Sequence, residues 1–415
     1  MYSYFKYIVF LFLLIFSGGM GSISAQSLDQ LLIELEQNNP GLKAYQQDYA
    51  AAKTNIQQAK LLPSTELGFG GFPLPVQTRV GAQRLRFSVS QAMPWFGTLE
   101  KRQELAEAKA APILSEQEML SLHLQYLVKL SYFDFYQLEE SQAILTKNIY
   151  LLESLRELSL RKVEGGKAST ADVLRIDIKL RELRKQIEIF EERKQKPLAH
   201  IDQLLNREVG QDIAIQDSLS FADLDLNLLT SVSTIPQKHP SLLKLDLEQK
   251  AAQSAIALIE KEAKPSWFVG ADYILVEANR PQDFIGNGRD ALLLKAGLRV
   301  PLQGKIFDAK IREESYRIEA LGQRKEAQQD QLLAALRQAI SDYQSALLTY
   351  ELYEEQEAST QAVIKLLQSN YSHDGKRFDE LLSLEQDLLT YELKKLEAIV
   401  DSHISKAEIE KIMGN

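Results

Sequence analysis

The residues most able to do chemistry are dispersed along this chain without a shared pattern. The sequence contains no cysteine, which excludes a thiolate nucleophile, a thiolate metal site and a disulfide framework. It has no zinc-protease, nucleophile-elbow or dinucleotide-binding motif. Gly166-Lys167-Ala168 lacks the upstream glycine and the following hydroxyl of a phosphate loop. The histidines have no ligand spacing; they are His123, His200, His239, His373 and His403. We predict a protein that is not an enzyme and that uses no metal or other cofactor.

Adjacent carboxylates occur at several places, and their surroundings differ. Glu139-Glu140 and Glu354-Glu355 lie inside helical stretches and indicate solvated faces. Asp379-Glu380 instead follows a glycine-containing turn and opens a helix. The simplest interpretation is that Asp379 is the N-cap of this helix and that Glu380 is a solvated acid of its first turn.

Two very long helices dominate the predicted structure. Thr98 to about Glu164 contains no glycine and one proline, Pro112, and is rich in good helix formers. At 1.5 Å per residue such a helix would be about 100 Å long. A second one follows the turn Pro301-Leu302-Gln303-Gly304 and runs to about His373. The helices carry apolar seams at coiled-coil spacing. In the helix to about Asn206 the seam is Ile176, Leu180, Leu183, Ile187 and Phe190, and in the second long helix it is Leu333, Leu336, Ile340, Tyr343, Leu347 and Tyr350.

Repeated residues at turns and helix ends indicate a tandem duplication with a period of about 205 residues, well above the periods of solenoid repeats. Asn39-Pro40 corresponds to His239-Pro240, and Gly166-Lys167 corresponds to Gly375-Lys376. Each half is predicted to contain a helix, two strands, a long helix, a turn and a closing helix. We assign residues 26–207 to the first repeat, 208–237 to an acidic surface connector and 238–415 to the second repeat.

Residues 1–25 have the features of a secretory signal peptide. Lys6 precedes an apolar run from Ile8 to Phe16, and small residues precede Gln26. A retained membrane anchor is the alternative, but the run is shorter than the roughly 20 residues that a spanning helix needs. The mature protein is therefore expected to leave the cytoplasm. Its net charge of -9 gives no electrostatic basis for binding nucleic acid.

Each half also contains two segments with strand periodicity. The first pair is Ser64 to Phe72 and Leu85 to Ser90, with a loop predicted at Pro73 and Pro75. One face is apolar, and the other carries Arg86, Ser88, Asp272, Lys295 and Arg299. Strands of about 10 residues can cross a bilayer when tilted, but the smallest membrane barrels need about eight strands. Two chains could supply eight strands and three chains twelve. The alternative is a small soluble sheet packed on helices.

The duplicated layout, the strand pairs and the glycine turns resemble the TolC family of outer-membrane efflux channels. The most specific motifs are Ser90-Gln91-Ala92-Met93-Pro94-Trp95-Phe96-Gly97 and Gly165 to Leu174, and the first is most similar to the heavy-metal branch. The resemblance covers essentially the whole mature chain. It implies a fold that is mostly α with membrane β. Long helices would form a coiled-coil tunnel, and four strands per chain would join a trimeric β-barrel.

The resemblance also implies a location, partners and sites. The protein would lie in the cell outer membrane, in contact with its lipid, and would extend into the periplasm as a homotrimer. It would conduct solutes exported by an inner-membrane pump of the resistance–nodulation–division type through a periplasmic membrane-fusion adaptor. The adaptor would dock at Gly165, Gly166, Lys167, Ala168, Ser169 and Thr170 and at Gly375, Lys376 and Arg377. The pore gate would be Asp379 and Glu380.

Several alternatives remain open at this stage. The glycine turns also fit simple helix termination, which is compatible with docking. The second turn is one residue shorter than the first, and Ser383 stands where the family commonly has another acid. A periplasmic coiled-coil adaptor or scaffold is the main rival function, and an exported enzyme is a third. The sequence does not identify the cargo, which could be a metal ion, a drug, a lipid or a protein.

Overall fold

The computed structural model describes residues 27–208, 210, 213, 218–224, 239–278, 285–374 and 377–414. The predicted signal peptide and most of the predicted connector lie outside the described residues, as do Gly375 and Lys376. None of the described helices has an 18-residue stretch apolar enough to span a membrane.

The first half of the chain forms four helices and two strands. Helices α1 (Leu28–Asn38) and α2 (Pro40–Ala59) are followed by strands β1 (Glu66–Thr78) and β2 (Gly81–Met93). Helix α3 (Thr98–Glu164) has the bounds predicted from its composition, and α4 (Thr170–Leu205) follows it. The predicted capping box of α4 is confirmed, because Ser169 accepts from the first turn and Asp172 accepts from the Ser169 backbone.

The second half has a similar element order. Helix α5 (Pro240–Glu262) precedes strands β3 (Ser266–Glu277) and β4 (Ala291–Arg299). The long helix α6 (Gly304–Asp374) and the closing helix α7 (Phe378–Met413) complete the chain. Elements therefore occur in similar order in the two halves, while the proposed repeat boundaries remain a prediction.

The loop predicted at Pro73 and Pro75 is wrong. Strand β1 continues through both prolines to Thr78, and its pairing with β2 shifts register between Gly71 and Val76. Proline cannot donate to a sheet ladder, so it is confined to bulges and edge strands. Strand β1 satisfies both conditions, because it lies at an edge of the sheet and its register shift includes the two prolines.

The chain divides into two compact units. Unit 1 consists of the described residues within Met1–Pro40, Ser121–Ser231 and Ala334–Asn415, and unit 2 of those within Gly41–Leu120 and Val232–Leu333. Each unit therefore takes segments from both halves of the sequence. Helices α3 and α6 contribute to both units.

Unit 2 contains one antiparallel sheet with the strand order β1-β2-β3-β4. The hairpin of the first half pairs with the hairpin of the second through β2 and β3. Among the described residues, this pairing leaves one side of β1 and one side of β4 without a neighbouring strand.

Unit 1 is held together by an apolar core between helices. The predicted seam residues Ile176, Leu180 and Leu183 are buried, and Ile187 and Phe190 pack against the same core as partly buried side chains.

The seam predicted in α6 is only partly right. Leu336 and Tyr343 are buried, but their buried companions are Leu332, Ala339 and Ala346 rather than the predicted set.

The described part of the predicted connector packs on unit 1 through defined bonds. The Ala222 amide donates to the Ser402 hydroxyl at 3.0 Å, and the Tyr343 hydroxyl donates to the Ala222 carbonyl at 2.6 Å. Ala222 itself is buried. This segment is therefore anchored to α6 and α7 and does not simply lie on the surface.

Candidate functional site

One face of the sheet in unit 2 is apolar and exposed. Directly opposite residues of antiparallel strands project to the same face, and the register pairs Phe69 with Phe87, Phe87 with Tyr273, and Tyr273 with Leu292. We call this the apolar sheet face; its exposed members are Leu67, Phe69, Phe87, Val89, Val269, Tyr273, Leu292, Leu294 and Leu298. So many large apolar side chains in one patch indicate a surface that faces lipid or another protein.

The opposite face carries charged residues that pair with one another. The Asp272 side chain is fully buried and forms ion pairs with Arg86 and with Lys295, the second at 2.8 Å. Arg84 and Glu277, near the ends of β2 and β3, form another pair that is more than half exposed. Because Asp272 has two cationic neighbours, this cluster keeps a net positive charge. The predicted alternation of apolar and polar faces is thus present in the folded sheet.

Glycine at position 270 allows Lys295 to reach across the polar face. A Cβ on Gly270 would lie 2.6 Å from the Val89 carbonyl oxygen and 2.8 Å from the Lys295 Cε. The contact with the Val89 carbonyl would require the backbone to move, whereas the contact with Lys295 would displace only the end of a flexible side chain. The glycine therefore provides the space in which Lys295 extends to Asp272.

The turn between α3 and α4 contains six of the predicted docking residues. Gly166 has a φ of +68°, and its amide donates to Val163 while the Lys167 amide donates to Lys162. These two bonds form a Schellman motif, which ends α3 and explains the glycine. Helix termination at this turn is confirmed. Most of the turn, from Gly165 to Lys167 and at Ser169 and Thr170, is exposed, whereas Ala168 is half-buried.

Helix α7 begins differently from the prediction for Asp379. Its N-cap is Arg377, which has a φ of +65° and no side-chain cap bond, so the N-cap assignment of Asp379 is wrong. Asp379 is the second residue of the helix and forms an ion pair with Arg175 of α4. A carboxylate oxygen of Glu380 lies 3.8 Å from a guanidinium nitrogen of Arg377. Both predicted gate acids therefore interact with arginines near the two helix turns of unit 1.

Sequence reasoning missed Arg175 and Glu385. Glu385 is 2% exposed, and one of its oxygens accepts from Gln368 Nε2 at 3.1 Å. The other oxygen has no partner among the described residues, and burial raises the pKa of this carboxyl. It lines a cavity of about 220 Å³ together with Lys147, Lys365 and Glu392. The available signal was an acid at the spacing of buried leucines, because Glu385 lies between Leu381-Leu382 and Leu388-Leu389.

The described residues contain no group of three or more histidine, aspartate or glutamate side chains arranged to hold a metal ion. The prediction that the protein has no resident metal remains a prediction.

Comparison with known proteins identifies the fold. No family model and no curated protein matches the chain. Among solved structures, the chain is similar to the outer membrane protein VceC of Vibrio cholerae, with a TM-score of 0.72, 13% identity and coverage of 94% of this chain and 96% of that one. It is similar to CusC, whose structures concern folding and transmembrane channel formation, with a TM-score of 0.75, 14% identity and coverage of 95% and 93%. The MtrE outer membrane channel of Neisseria gonorrhoeae gives a TM-score of 0.70, 14% identity and coverage of 94% and 89%. The chain therefore has the fold of these outer-membrane channels, and the TolC-like fold predicted from the sequence is confirmed.

Proposed function

We propose that this protein is the outer-membrane channel of a tripartite efflux system. Three copies would place their sheets side by side in the membrane, and their helices would form a tunnel through the periplasm. The channel would be passive, and an inner-membrane pump acting through a periplasmic adaptor would drive the cargo. The proposed partners are the other copies of a homotrimer, a periplasmic adaptor, a pump of the resistance–nodulation–division type and outer-membrane lipid.

The observation that carries the proposal is the sheet of unit 2. It has an exposed apolar face and a charged opposite face, and within the described part of the chain one side of β1 and one side of β4 are unpaired. Unpaired backbone groups are too costly to leave in hydrocarbon, so such a sheet needs neighbouring strands on both edges. Four strands are too few to close a barrel, whereas three chains supply twelve. The similarity in fold to outer-membrane channels over more than nine-tenths of the chain supports the same proposal.

The gate and the docking surface belong to this proposal. Asp379 and Glu380 of three copies would form an acidic ring, in which Arg175 and Arg377 would hold the carboxylates in place. Gly165 to Thr170, Gly375, Lys376 and Arg377 would receive the adaptor. The exposed turn between α3 and α4 is consistent with this role, because no other described residues cover it.

A periplasmic scaffold is a weaker proposal. Such a protein would be in water, and the apolar sheet face would then be an unprotected hydrophobic patch. Separation of the cell envelope distinguishes the two functions. We expect the protein in the outer-membrane fraction, and a soluble periplasmic product would contradict the channel.

The decisive experiment is single-channel conductance of the detergent-purified protein in a planar bilayer. We expect small conductance in the unmodified protein and larger conductance in Asp379→Ala/Glu380→Ala. The matched control is Glu354→Ala/Glu355→Ala, which removes two adjacent carboxylates within α6 and should leave conductance unchanged. Equal conductance in all three proteins would reject the gate, and no conductance from correctly folded protein would reject the channel.

A further inference from the structure

A cluster of basic residues lies where the strands of unit 2 meet its helices. They line a cavity of about 390 Å³ that adjoins the start of α3, the end of α5, the end of β4 and the start of α6. The cationic residues in the lining are Arg102, Lys261, Lys264, Arg299 and Lys310. We call this the basic cavity. Its strand residues are Ser266 of β3 and Arg299 of β4, which lie directly opposite each other in the sheet.

The charge of the basic cavity is unbalanced. Its lining has one carboxylate, Glu262, which pairs with Arg102 at 2.9 Å. Across the part of the chain that the structure describes, no carboxylate lies within 4 Å of the other four cations. The lining thus has a formal charge of +4 in a chain whose net charge is -9. Such a concentration of positive charge favours an anionic ligand.

A buried hydroxyl in the same lining has no partner. Thr98 is 2% exposed, and its Oγ1 makes no hydrogen bond to any described residue. Leaving a buried polar group unpaired is costly, so the hydroxyl indicates a ligand or solvent atom at this place. Thr98 is also the first residue of α3. Its own amide donates to the Trp95 carbonyl at 3.0 Å, and the partial positive charge of the helix N-terminus favours a bound phosphate. Cations, a hydroxyl and a helix N-terminus together fit a phosphate group.

An apolar cavity adjoins the basic one. Its volume is about 530 Å³, and its lining consists of aromatic and aliphatic residues together with a glycine backbone. Trp95 lines both cavities, and Leu298 belongs to the apolar sheet face. Phe96 is largely exposed and lies 6.3 Å from Trp267 between ring centroids. Exposed aromatic rings beside basic side chains are typical of the surface region of a membrane.

We infer that the two cavities form one binding site for an anionic phospholipid. The basic cavity binds the headgroup phosphate, and the apolar cavity contacts the first part of an acyl chain. This inference rests on the proposed function, because the site meets lipid when the sheet lies in a membrane. Free phosphate shares the headgroup chemistry but would make no use of the apolar cavity.

Titration of the detergent-solubilised full chain tests the site. Short-chain phosphatidylglycerol is added to the protein in a non-ionic detergent, and the melting temperature gives an apparent dissociation constant. Phosphatidylcholine of the same chain length and inorganic phosphate are titrated in parallel. We expect phosphatidylglycerol to stabilise the protein at much lower concentration than either. Equal effects of both lipids, or an equal effect of inorganic phosphate, would overturn the inference.

Variants locate the binding within the junction. Lys264→Gln/Arg299→Gln removes two cations that have no carboxylate partner, and we expect the apparent dissociation constant for phosphatidylglycerol to rise at least about tenfold. Thr98→Val removes only the hydroxyl and should weaken binding several-fold. The control Lys60→Gln/Lys305→Gln removes two exposed cations of unit 2 outside the lining and should leave binding unchanged.

The outcomes separate this inference from the proposed channel. The titration needs no conductance, so a protein that binds phosphatidylglycerol through these residues but conducts nothing would reject the channel and retain the lipid site. If the protein conducts, and Lys264→Gln/Arg299→Gln binds phosphatidylglycerol as tightly as the control Lys60→Gln/Lys305→Gln, the channel is retained and the lipid site is rejected.

Discussion

Arg175 of α4 forms an ion pair with Asp379 of α7, although the two residues lie 204 positions apart in the sequence. Both side chains are more than half exposed. The pair joins the helices that follow the two turns of unit 1. Exposed ion pairs contribute little to stability because water and salt screen them, so we expect loss of this pair to act on the proposed gate rather than on stability.

Replacement of Arg175 should therefore affect conductance more than stability. We expect Arg175→Gln to change the free energy of unfolding by no more than about 0.5 kcal/mol and to raise single-channel conductance. Arg181→Gln is the matched control, because Arg181 lies exposed on the same helix and, among the described residues, bonds only to a backbone carbonyl of that helix. Conductance that rises equally in both variants would contradict a specific role for Arg175.

The ion pairs between β2 and β3 should differ strongly in their effect on stability. Asp272 is fully buried between Arg86 and Lys295, whereas Arg84 and Glu277 are exposed. Removing a buried carboxylate leaves two cations without their partner, which is far more costly than breaking an exposed pair. We expect Asp272→Asn to lower the melting temperature clearly and Glu277→Gln to leave it nearly unchanged.

The same pair of variants tests the electrostatics of the proposed lumen. Loss of the Asp272 charge should make the channel more selective for anions in a salt gradient, which the reversal potential measures. A reversal potential that moves equally in Glu277→Gln would show that the effect does not depend on the buried position of Asp272.

Glu385 should make the stability of the protein depend on pH. Burial raises the pKa of this carboxyl above its ordinary value of 4.5, so the folded protein holds the proton more tightly than the unfolded chain. The resulting stabilisation is present below about pH 4.5 and is lost as the pH rises through the folded-state pKa. At neutral pH we expect Glu385→Gln to be more stable than the unmodified protein by about 1 kcal/mol.

Urea unfolding of both proteins between pH 4 and pH 8 measures this effect. The two curves should converge at the acid end and separate as the pH rises. Glu355→Gln, an exposed acid on α6, is the control and should follow the unmodified protein throughout. Parallel curves for Glu385→Gln and the unmodified protein would mean that Lys147 and Lys365, which line the same cavity, already neutralise the carboxylate.

The helices were predictable from local sequence, and the contacts near the turns were not. The bounds of α3 were predictable from its composition, its single internal proline and the Gly165-Gly166 stop, because helix propensity and capping act within a few residues. The seam of α6 was less certain, since adjacent leucines at 332 and 333 allow two neighbouring stripes. Packing buries Leu332 and leaves Leu333 half-exposed.

Long-range features lay beyond the sequence pattern for physical reasons. Pro73 and Pro75 look like a loop in a single strand, and the edge position and bulge that accommodate them depend on pairing with β2. Arg175 lies beside Asp379 only because the helices that follow the two turns pack together. The acidic pair at 379–380 could be identified from the sequence, but its arginine partner on α4 could not.

The polar sheet face should be far less tolerant of a methyl group at Gly270 than at Gly70. A Cβ at Gly270 would collide with the Val89 carbonyl and with Lys295, whereas a Cβ at Gly70 would meet no atom within 4 Å. Overpacking in a fixed backbone costs about 1–3 kcal/mol. We therefore expect Gly270→Ala to destabilise the protein by that amount and Gly70→Ala to have little effect.

Chemical unfolding of the two variants in the same detergent gives the comparison. Both substitutions add one methyl group to a strand glycine on the same face of the sheet, so a general effect of reduced chain flexibility is common to both. If Gly270→Ala is tolerated as well as Gly70→Ala, the backbone at Val89 must be able to move, and the close approach of Lys295 to Asp272 would not depend on glycine. If only Gly270→Ala is destabilised, the backbone at Val89 is fixed, and glycine is required at position 270 by the close approach of the Val89 carbonyl.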